Sequence, residues 1–525
     1  MSWSETRIMK EAEIDAWLKS AEDMGLLTSQ GLAADGLSSI PGADTLLFRE
    51  SVRQTGRWTL AMLKFGARRV LGIFGADAAG LGFEGTVRKL SSGKGRGVIF
   101  APLGHRNAES LRKLLPYTAP SPLADKDLTF SLGDRLGMAG VGHIRAIKGF
   151  EAAPVLAQQS VRELDLTGRS YEDVLDSSTW AVFQEGYERP WGADGDHLKT
   201  EDWVRKALKT GFTMITADVS DYIMGEYTLK PAKEVMEDYR NLEESYRKQI
   251  EEKFLSLRIE LDTGEAIDFS IEDLSRVALI YKEAVEHAGR LYTAGIEERG
   301  KGGFDFELSI DETETPTTPQ AHAFIALELQ RASVEVSSLA PRFVGEFQKG
   351  IDYIGDSAAF ERSFRTHAAL ARKFGYRISI HSGSDKFTVF PIVGRLTEGR
   401  FHIKTAGTSW LEAVKVIARL EPALYRELHS QALRSFDRAA RYYQVTTDLK
   451  KVPDPAGLSD QELPGLFENP DARQLIHISY GELLKEPALS KRFFQALEEH
   501  IQEYWLALQQ HIGRHLKALG VKEGG

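Results

Sequence analysis

Eight short runs of strand-forming residues between Leu128 and Gly407 each end in polar side chains capable of chemistry. They are LTFSLGDR (128–135), PVLAQQS (154–160), AVFQEG (181–186), TMITADVSD (213–221), FDFELSIDETE (304–314), APRFVGEF (340–347), YRISIHSGSDK (376–386) and FHIKTAG (401–407). Stretches with helical spacing separate most of them. Strands alternating with helices in this way predict an α/β fold, a parallel (β/α)8 TIM-like barrel with its active site where the strands end. Those ends carry Asp134, Gln159, Glu185, Asp218, Asp311, Glu346, His381 and Lys404.

The chain around this pattern divides into three parts. Residues 1–125 read as an N-terminal α/β layer: IDAWLKSAEDMGLL is helical by period, and RRVLGIFG and RGVIFAPLG are strands. The barrel is expected over 126–422, with a helical insertion at 222–302 after the fourth strand. Within the insertion, EVMEDYRNLEESYRKQIEEKF reads as one charge-rich helix and IEDLSRVALIYKEAVEHAGRLY as a second with a broad apolar stripe. Residues 423–525 form a helical C-terminal extension, interrupted by the Pro/Asp-rich KVPDPAGLSDQELPGLFENPD. This amphipathic tail can dock on the barrel or join copies of the chain as a homo-oligomer.

Composition excludes several classes of function. The absence of cysteine rules out disulfides, thiolate metal sites and cysteine nucleophiles. A net charge of −10 without a long basic block argues against nucleic-acid binding. No apolar run approaches the roughly 20 residues that span a bilayer. MSWSETRIMKEAEIDAWL lacks the apolar centre of a signal peptide, so a cytoplasmic location is expected. GLGFEG (80–85) matches a dinucleotide fingerprint in letters only. Its glycines begin too far beyond the preceding strand, and no acidic residue closes a second strand about 20 positions later.

The chemistry-bearing segments are four. In SIHSGSDKF, Ser379 and His381 share a strand face, and His381 at the rim is a metal ligand, a proton shuttle or a structural histidine. FHIKTAGTS points His402 and Lys404 into the barrel, where the lysine holds a substrate carboxylate or oxyanion, makes a Schiff base or is ion-paired. FDFELSIDETETPTTP puts Glu307, Ser309 and Asp311 on one face. Glu307, inside its strand, needs a metal, a proton-transfer role or a partner such as Arg342. GADGDHLK follows AVFQEG as a glycine-containing loop whose Asp196 and His197 suit an acid/base beside a metal-binding imidazole, or a capped helix start.

A resemblance then becomes specific. The blocks GDRLG (133–137), AQQSVRE (157–163), FQEGY (183–187), GADGDH (192–197), DETETPT (311–317), GIDYIGD (350–356), HSGSDKF (381–387), KTAGTS (404–409), LPGLFE (463–468) and RQLIHISYG (473–481) resemble, in order, those of bacterial tagaturonate epimerases. The match covers about 127 to 515, and the first 120 residues carry no matching motif. The resemblance implies a metal-dependent isomerase of hexuronate catabolism that interconverts D-tagaturonate and D-fructuronate, and it points to Asp196, His197, Glu307 and His381. The inverted carbon is β to the ketone, so enolisation alone cannot invert it, whereas retro-aldol cleavage and re-addition can. Chemical inference then gives His197, His381 and Asp311 to a divalent metal (Zn, Mn, Ni or Co) and Asp196 and Glu307 to acid/base work. Arg135, Gln159, Lys386 and Lys404 are expected to bind the substrate and its carboxylate. A neutral ketohexose 4-epimerase and a non-catalytic sugar-binding barrel are the alternatives.

Overall fold

In a computed structural model of the chain, eight strands pair in parallel and close on themselves. They are β1 (Leu128–Leu132), β2 (Ala153–Ser160), β3 (Gly192–Leu198), β4 (Met214–Asp218), β5 (Asp305–Ile310), β6 (Ser338–Pro341), β7 (Arg377–Ile380) and β8 (Phe401–Thr405). The barrel runs in chain order and is sealed by β8 on β1, with Phe401 opposite Leu128 and Thr405 opposite Leu132. The structure describes residues 11–23, 27–28, 31–32, 45–66, 68–75, 81–89 and 97–524. Every residue of β1, β4, β5 and β8 is buried, as expected of strands covered by helices on the outside and filled on the inside.

One expected strand is a helix. AVFQEG forms the end of helix Tyr171–Gln184, which Ser170 and Asp173 open with a reciprocal capping box. The apolar run Trp180–Phe183 therefore packs as helix, and Glu185 caps it, paired with Arg145 rather than standing at the rim. The third strand is instead GADGDHL, expected as a loop. Its small residues explain the exchange. A Cβ on Gly195 would meet the Ala207 Cβ at 3.0 Å and Leu198 at 3.1 Å, so glycine lets helix Glu201–Thr210 lie directly on the strand.

The insertion after β4 is helical as expected, though its charge-rich segment breaks into Ala232–Arg240 and Glu244–Phe254. Helix Ile271–Arg299 follows, capped by Ser270 and Asp273. Thr318 caps Pro319–Arg331 after β5, with Pro319 in its first turn. The tail docks on the barrel: helix Ile501–Ala518 buries Trp505, Leu508 and Ile512, and Trp505 Nε1 donates to the Met138 carbonyl.

The N-terminal layer is a five-stranded antiparallel sheet, ordered 45–55, 58–65, 68–75, 97–101, 86–89. Helix Glu11–Asp23 covers one face with Ile14, Trp17, Leu18 and Ala21, spaced as a helical stripe. Trp17 meets Phe65, Phe74 and Phe100 there. The opposite face, with Leu60, Met62, Leu71 and Ile73, joins the barrel's own core. Of GLGFEG, Gly80 lies outside the described residues. The rest leads into strand Thr86–Lys89, so no helix N-terminus follows to receive a pyrophosphate.

Candidate active site

At the C-terminal mouth of the barrel, β3 supplies two inward carboxylates. Asp194 and Asp196 are two residues apart and so share the inner face, while Ala193 and Gly195 face the helices. The Lys404 ammonium of β8 sits between them, 2.8 Å from Asp194 Oδ2 and 2.7 Å from Asp196 Oδ1. It also lies 2.9 Å from Glu307 Oε1 of β5 and donates to Thr216 of β4. Gln158 Nε2 holds the other Asp196 oxygen at 2.9 Å, and Ser338 Oγ donates to Glu307 Oε2 at 2.5 Å. Burial alone would raise these carboxyls, but Lys404 keeps Asp196 and Glu307 ionised, well below the usual carboxylate range. Asp194 ends at about 6, because burial outweighs Lys404 and its acidic neighbours add to the burial effect. Lys404 itself is fully committed to this clamp and stays charged.

Above the clamp are the two imidazoles. His197 has a left-handed φ of 52°, and the β3–β4 register shifts between Gly195 and Leu198, so the strand bulges and turns the ring to the mouth. His381, just past β7, meets it edge to face with ring centroids 5.1 Å apart. His381 Nε2 lies 2.7 Å from Glu307 Oε1, and its Nδ1 is 3.0 Å from Asp311 Oδ1. Burial disfavours the imidazolium at both rings, yet the facing carboxylates prevail. Asp196, Asp218 and Glu312 raise His197 to about 10, and Asp311 and Glu307 raise His381 to about 9 against Lys404. Asp311, despite burial, falls to about 2 beside His381.

Part of the cavity wall is cationic. Arg135, Arg162 and Lys349 line the same cavity as Asp196, His197, Asp311 and His381. Arg135 is held by Glu163 at 2.8 Å and stacks on Tyr480, 3.8 Å from the ring centre. Arg162 lies over Tyr443, and its Nε is buried without a hydrogen-bond partner. Lys349 Nζ donates to Ser382 Oγ at 2.8 Å, and burial with the two arginines beside it lowers its pKa. The helical tail completes this wall with Tyr443 and His477.

The structure thus brings Asp196, His197, Asp311, His381, Arg135 and Lys404 around one cavity. Glu307 lies directly beneath it, fully buried and touching His381 and Lys404. The partner proposed for Glu307 differs: Arg342 pairs with Glu346 at 3.1 Å, and Lys404 serves Glu307 instead. Two expected substrate contacts are displaced. Gln159 is buried on the outer face of β2, opposite Gly195, and its neighbour Gln158 is the residue in the cavity. Lys386 is buried behind the wall and donates to the carbonyls of Gln348, Ile351 and Ser384, leaving no donor for a substrate. His402 lies one layer deeper, bonded to Thr129 at 2.7 Å, and burial lowers it to about 3, so it is neutral packing. Asp194, Gln158, Arg162 and Lys349 were missed, although AQQSVRE and GADGDH contain three of them.

Among the described residues, two groups have metal-binding spacing. His197, Asp218 and Glu312 each offer one ligand atom, all within 4.8 Å of one another. His197 Nδ1 is buried without a hydrogen bond, 3.5 Å from Asp218 Oδ2. An orphaned imidazole nitrogen amid surplus carboxylates fits a divalent cation with nitrogen and oxygen ligands. The second group, Asp385, His511 and His515, already holds a cation, the Arg473 guanidinium. His515 Nε2 accepts the Asp385 backbone N–H at 2.9 Å, and Arg473 holds the Asp385 carboxylate at 2.8 Å. A cation there would displace that guanidinium. No helix of the described residues is long and apolar enough to cross a membrane.

The sequence pattern described as tagaturonate epimerase matches residues 48–519, so it takes in most of the N-terminal sheet as well as the barrel and tail. A tagaturonate/fructuronate epimerase of Thermotoga maritima is 42% identical over 477 residues, covering 90% of this chain and 96% of the relative. The glycerol-complexed crystal structure of fructuronate-tagaturonate epimerase from Cohnella laeviribosi superposes with a TM-score of 0.87 at 45% identity, covering 91% of this chain and 97% of that one. Its native crystal structure gives a TM-score of 0.87 at 43% identity, covering 96% and 100%.

Proposed function

The chain belongs to the tagaturonate epimerase family, and on that premise we propose that this isomerase interconverts D-tagaturonate and D-fructuronate. The observation that most supports an acid substrate is a pair of cavity-lining cations. Arg162 and Lys349, neither ion-paired among the described residues, share the cavity with the carboxylates and imidazoles. A sugar carboxylate would satisfy them while its ketone and hydroxyls meet the carboxylates and imidazoles.

In this reading Arg162 and Lys349 anchor the carboxylate, and Arg135 acts beside them while keeping Glu163. Asp196, ionised by Lys404, takes the proton of the hydroxyl β to the ketone. The bond between the α and β carbons breaks, and its electron pair stays with the ketone fragment. The aldehyde turns over, the bond re-forms on its other face, and Asp196 returns the proton. His381 faces the cavity while Glu307 does not, so Glu307 acts through His381, holding the imidazole so that it gives its proton to the ketone oxygen as the bond breaks and takes it back as the bond re-forms. His197, Asp218 and Glu312 would hold a divalent cation, with His381 and Asp311 across from them; when bound, it supplies Lewis-acid polarisation of the ketone.

The test is incubation of purified protein with D-tagaturonate or D-fructuronate, before and after chelation and after adding back Zn, Mn, Ni or Co. Each acid should yield the other, chelation should abolish turnover, and one of the cations should restore it. Full activity in chelated protein would mean that turnover needs no cation. Trapping of the aldehyde fragment during turnover is expected for carbon–carbon cleavage; its absence with an oxidised intermediate would replace that step.

A further inference from the structure

The loop after β7 holds two non-glycine residues in left-handed conformation, Ser382 at φ 50° and Asp385 at φ 62°. Such strain persists only where the surroundings over-determine it. Here they do, and most of the determinants come from the tail. Asp385 accepts from Arg473 at 2.8 Å and lies 2.7 Å from His511 Nε2, and its backbone N–H donates to His515. The same Arg473 donates through Nε to the Gly350 carbonyl at 2.5 Å, while Gln474 Nε2 donates to the Lys349 carbonyl at 3.2 Å. Lys386 closes the ring by donating to the carbonyls of Gln348 and Ile351, on either side of Lys349 and Gly350. None of Arg473, His511, Asp385 and Lys386 lines the cavity, yet these bonds tie the tail to the two loops that present Lys349 and Ser382 to it.

We infer that Arg473, Asp385, Lys386 and His511 are positioning residues that set Lys349 for the substrate carboxylate, so that the tail governs acid recognition without touching the sugar. This rests on the reading that Lys349 meets that carboxylate. Arg473 is the keystone because its planar fork reaches Gly350 and Asp385 together, which a lysine or methionine cannot do.

The experiment compares Arg473→Met, His511→Asn and Ile512→Val with wild type in steady-state kinetics on D-tagaturonate, alongside melting curves. Ile512 is buried on the same helix as His511, so its shortening destabilises the tail without touching the network. Arg473→Met should raise KM about tenfold or more with a much smaller change in kcat, since displacement of an anchoring group costs binding geometry. His511→Asn should shift KM in the same direction by less, and it decides the matter if Arg473→Met does not fold. Ile512→Val should lower Tm and leave KM unchanged. If Arg473→Met and His511→Asn lower Tm but keep the wild-type KM, the inference is overturned. Lys349→Met separates the carboxylate anchor from the positioning role. If it raises KM while the network variants do not, only the positioning role fails. If it leaves KM unchanged, the carboxylate anchor fails and the positioning role with it.

Discussion

Replacing Lys404 by methionine is expected to cost chelated protein about 3–5 kcal/mol of folding free energy, the largest stability loss of any substitution in the cavity. The ammonium is 4% exposed and faces Asp194, Asp196 and Glu307 at 2.7–2.9 Å. Without it three buried carboxyls share one space with no lysine to offset them, and desolvation is no longer repaid. The pH dependence gives the sign. In wild type, Lys404 depresses Asp196 and Glu307, so their contribution is present above the ordinary carboxyl range and lost only as pH falls through their lowered values. In Lys404→Met all three carboxyls should move up, Asp194 from the raised value of about 6 that it already has. Their contribution is then present at low pH and lost as pH rises. Urea unfolding at pH 5 and pH 8 should therefore show the variant more stable at pH 5. A variant as stable as wild type at pH 8 would mean that the clamp is not an electrostatic keystone.

His381→Gln should leave a folded protein whose kcat is lower by about 10²–10⁴-fold, the range for losing a positioned proton-transfer group. The imidazole is the cavity-facing member of the Glu307–His381–Asp311 chain, with carboxylate oxygens 2.7 and 3.0 Å from its two nitrogens. Glutamine can keep one of those contacts but carries no titratable proton. Steady-state rates with circular dichroism as the folding control check this. Retention of more than a tenth of wild-type kcat would assign His381 to structure alone.

How far these roles could be read from the chain depended on periodicity. Strand alternation correctly grouped Glu307 with Asp311, and His402 with Lys404, because a period of two survives any choice of strand ends. It failed at β3. Gly-Ala-Asp-Gly-Asp has the composition of a turn, and only the helix packed against Gly195 makes it a strand. The apolar AVFQEG looked the part because a buried helix and a buried strand share one short apolar run. That error moved Asp196 and His197 from strand to loop and hid Asp194, whose inward position follows directly once β3 is placed. Gln159 was chosen over Gln158 for a related reason: adjacent identical residues give no clue to which faces inward, and a slip of one residue reverses the face. Lys404's partners come from β3, β4 and β5, so long-range closure, not local pattern, creates the clamp. The tail's share was legible only as the block RQLIHISYG, because an amphipathic helix announces that it docks and not what it docks on.

We propose that one cavity reads a uronate by its charge, with Arg135, Arg162 and Lys349 lining it together with carboxylates and imidazoles. The most direct measurement is kcat/KM for D-tagaturonate against neutral tagatose, in wild type and in Lys349→Met. Wild type should strongly prefer the acid. The variant should lose much of that preference through a higher KM for the acid, with the neutral sugar unaffected. Equal use of both sugars by wild type, or an unchanged preference in the variant, would contradict it.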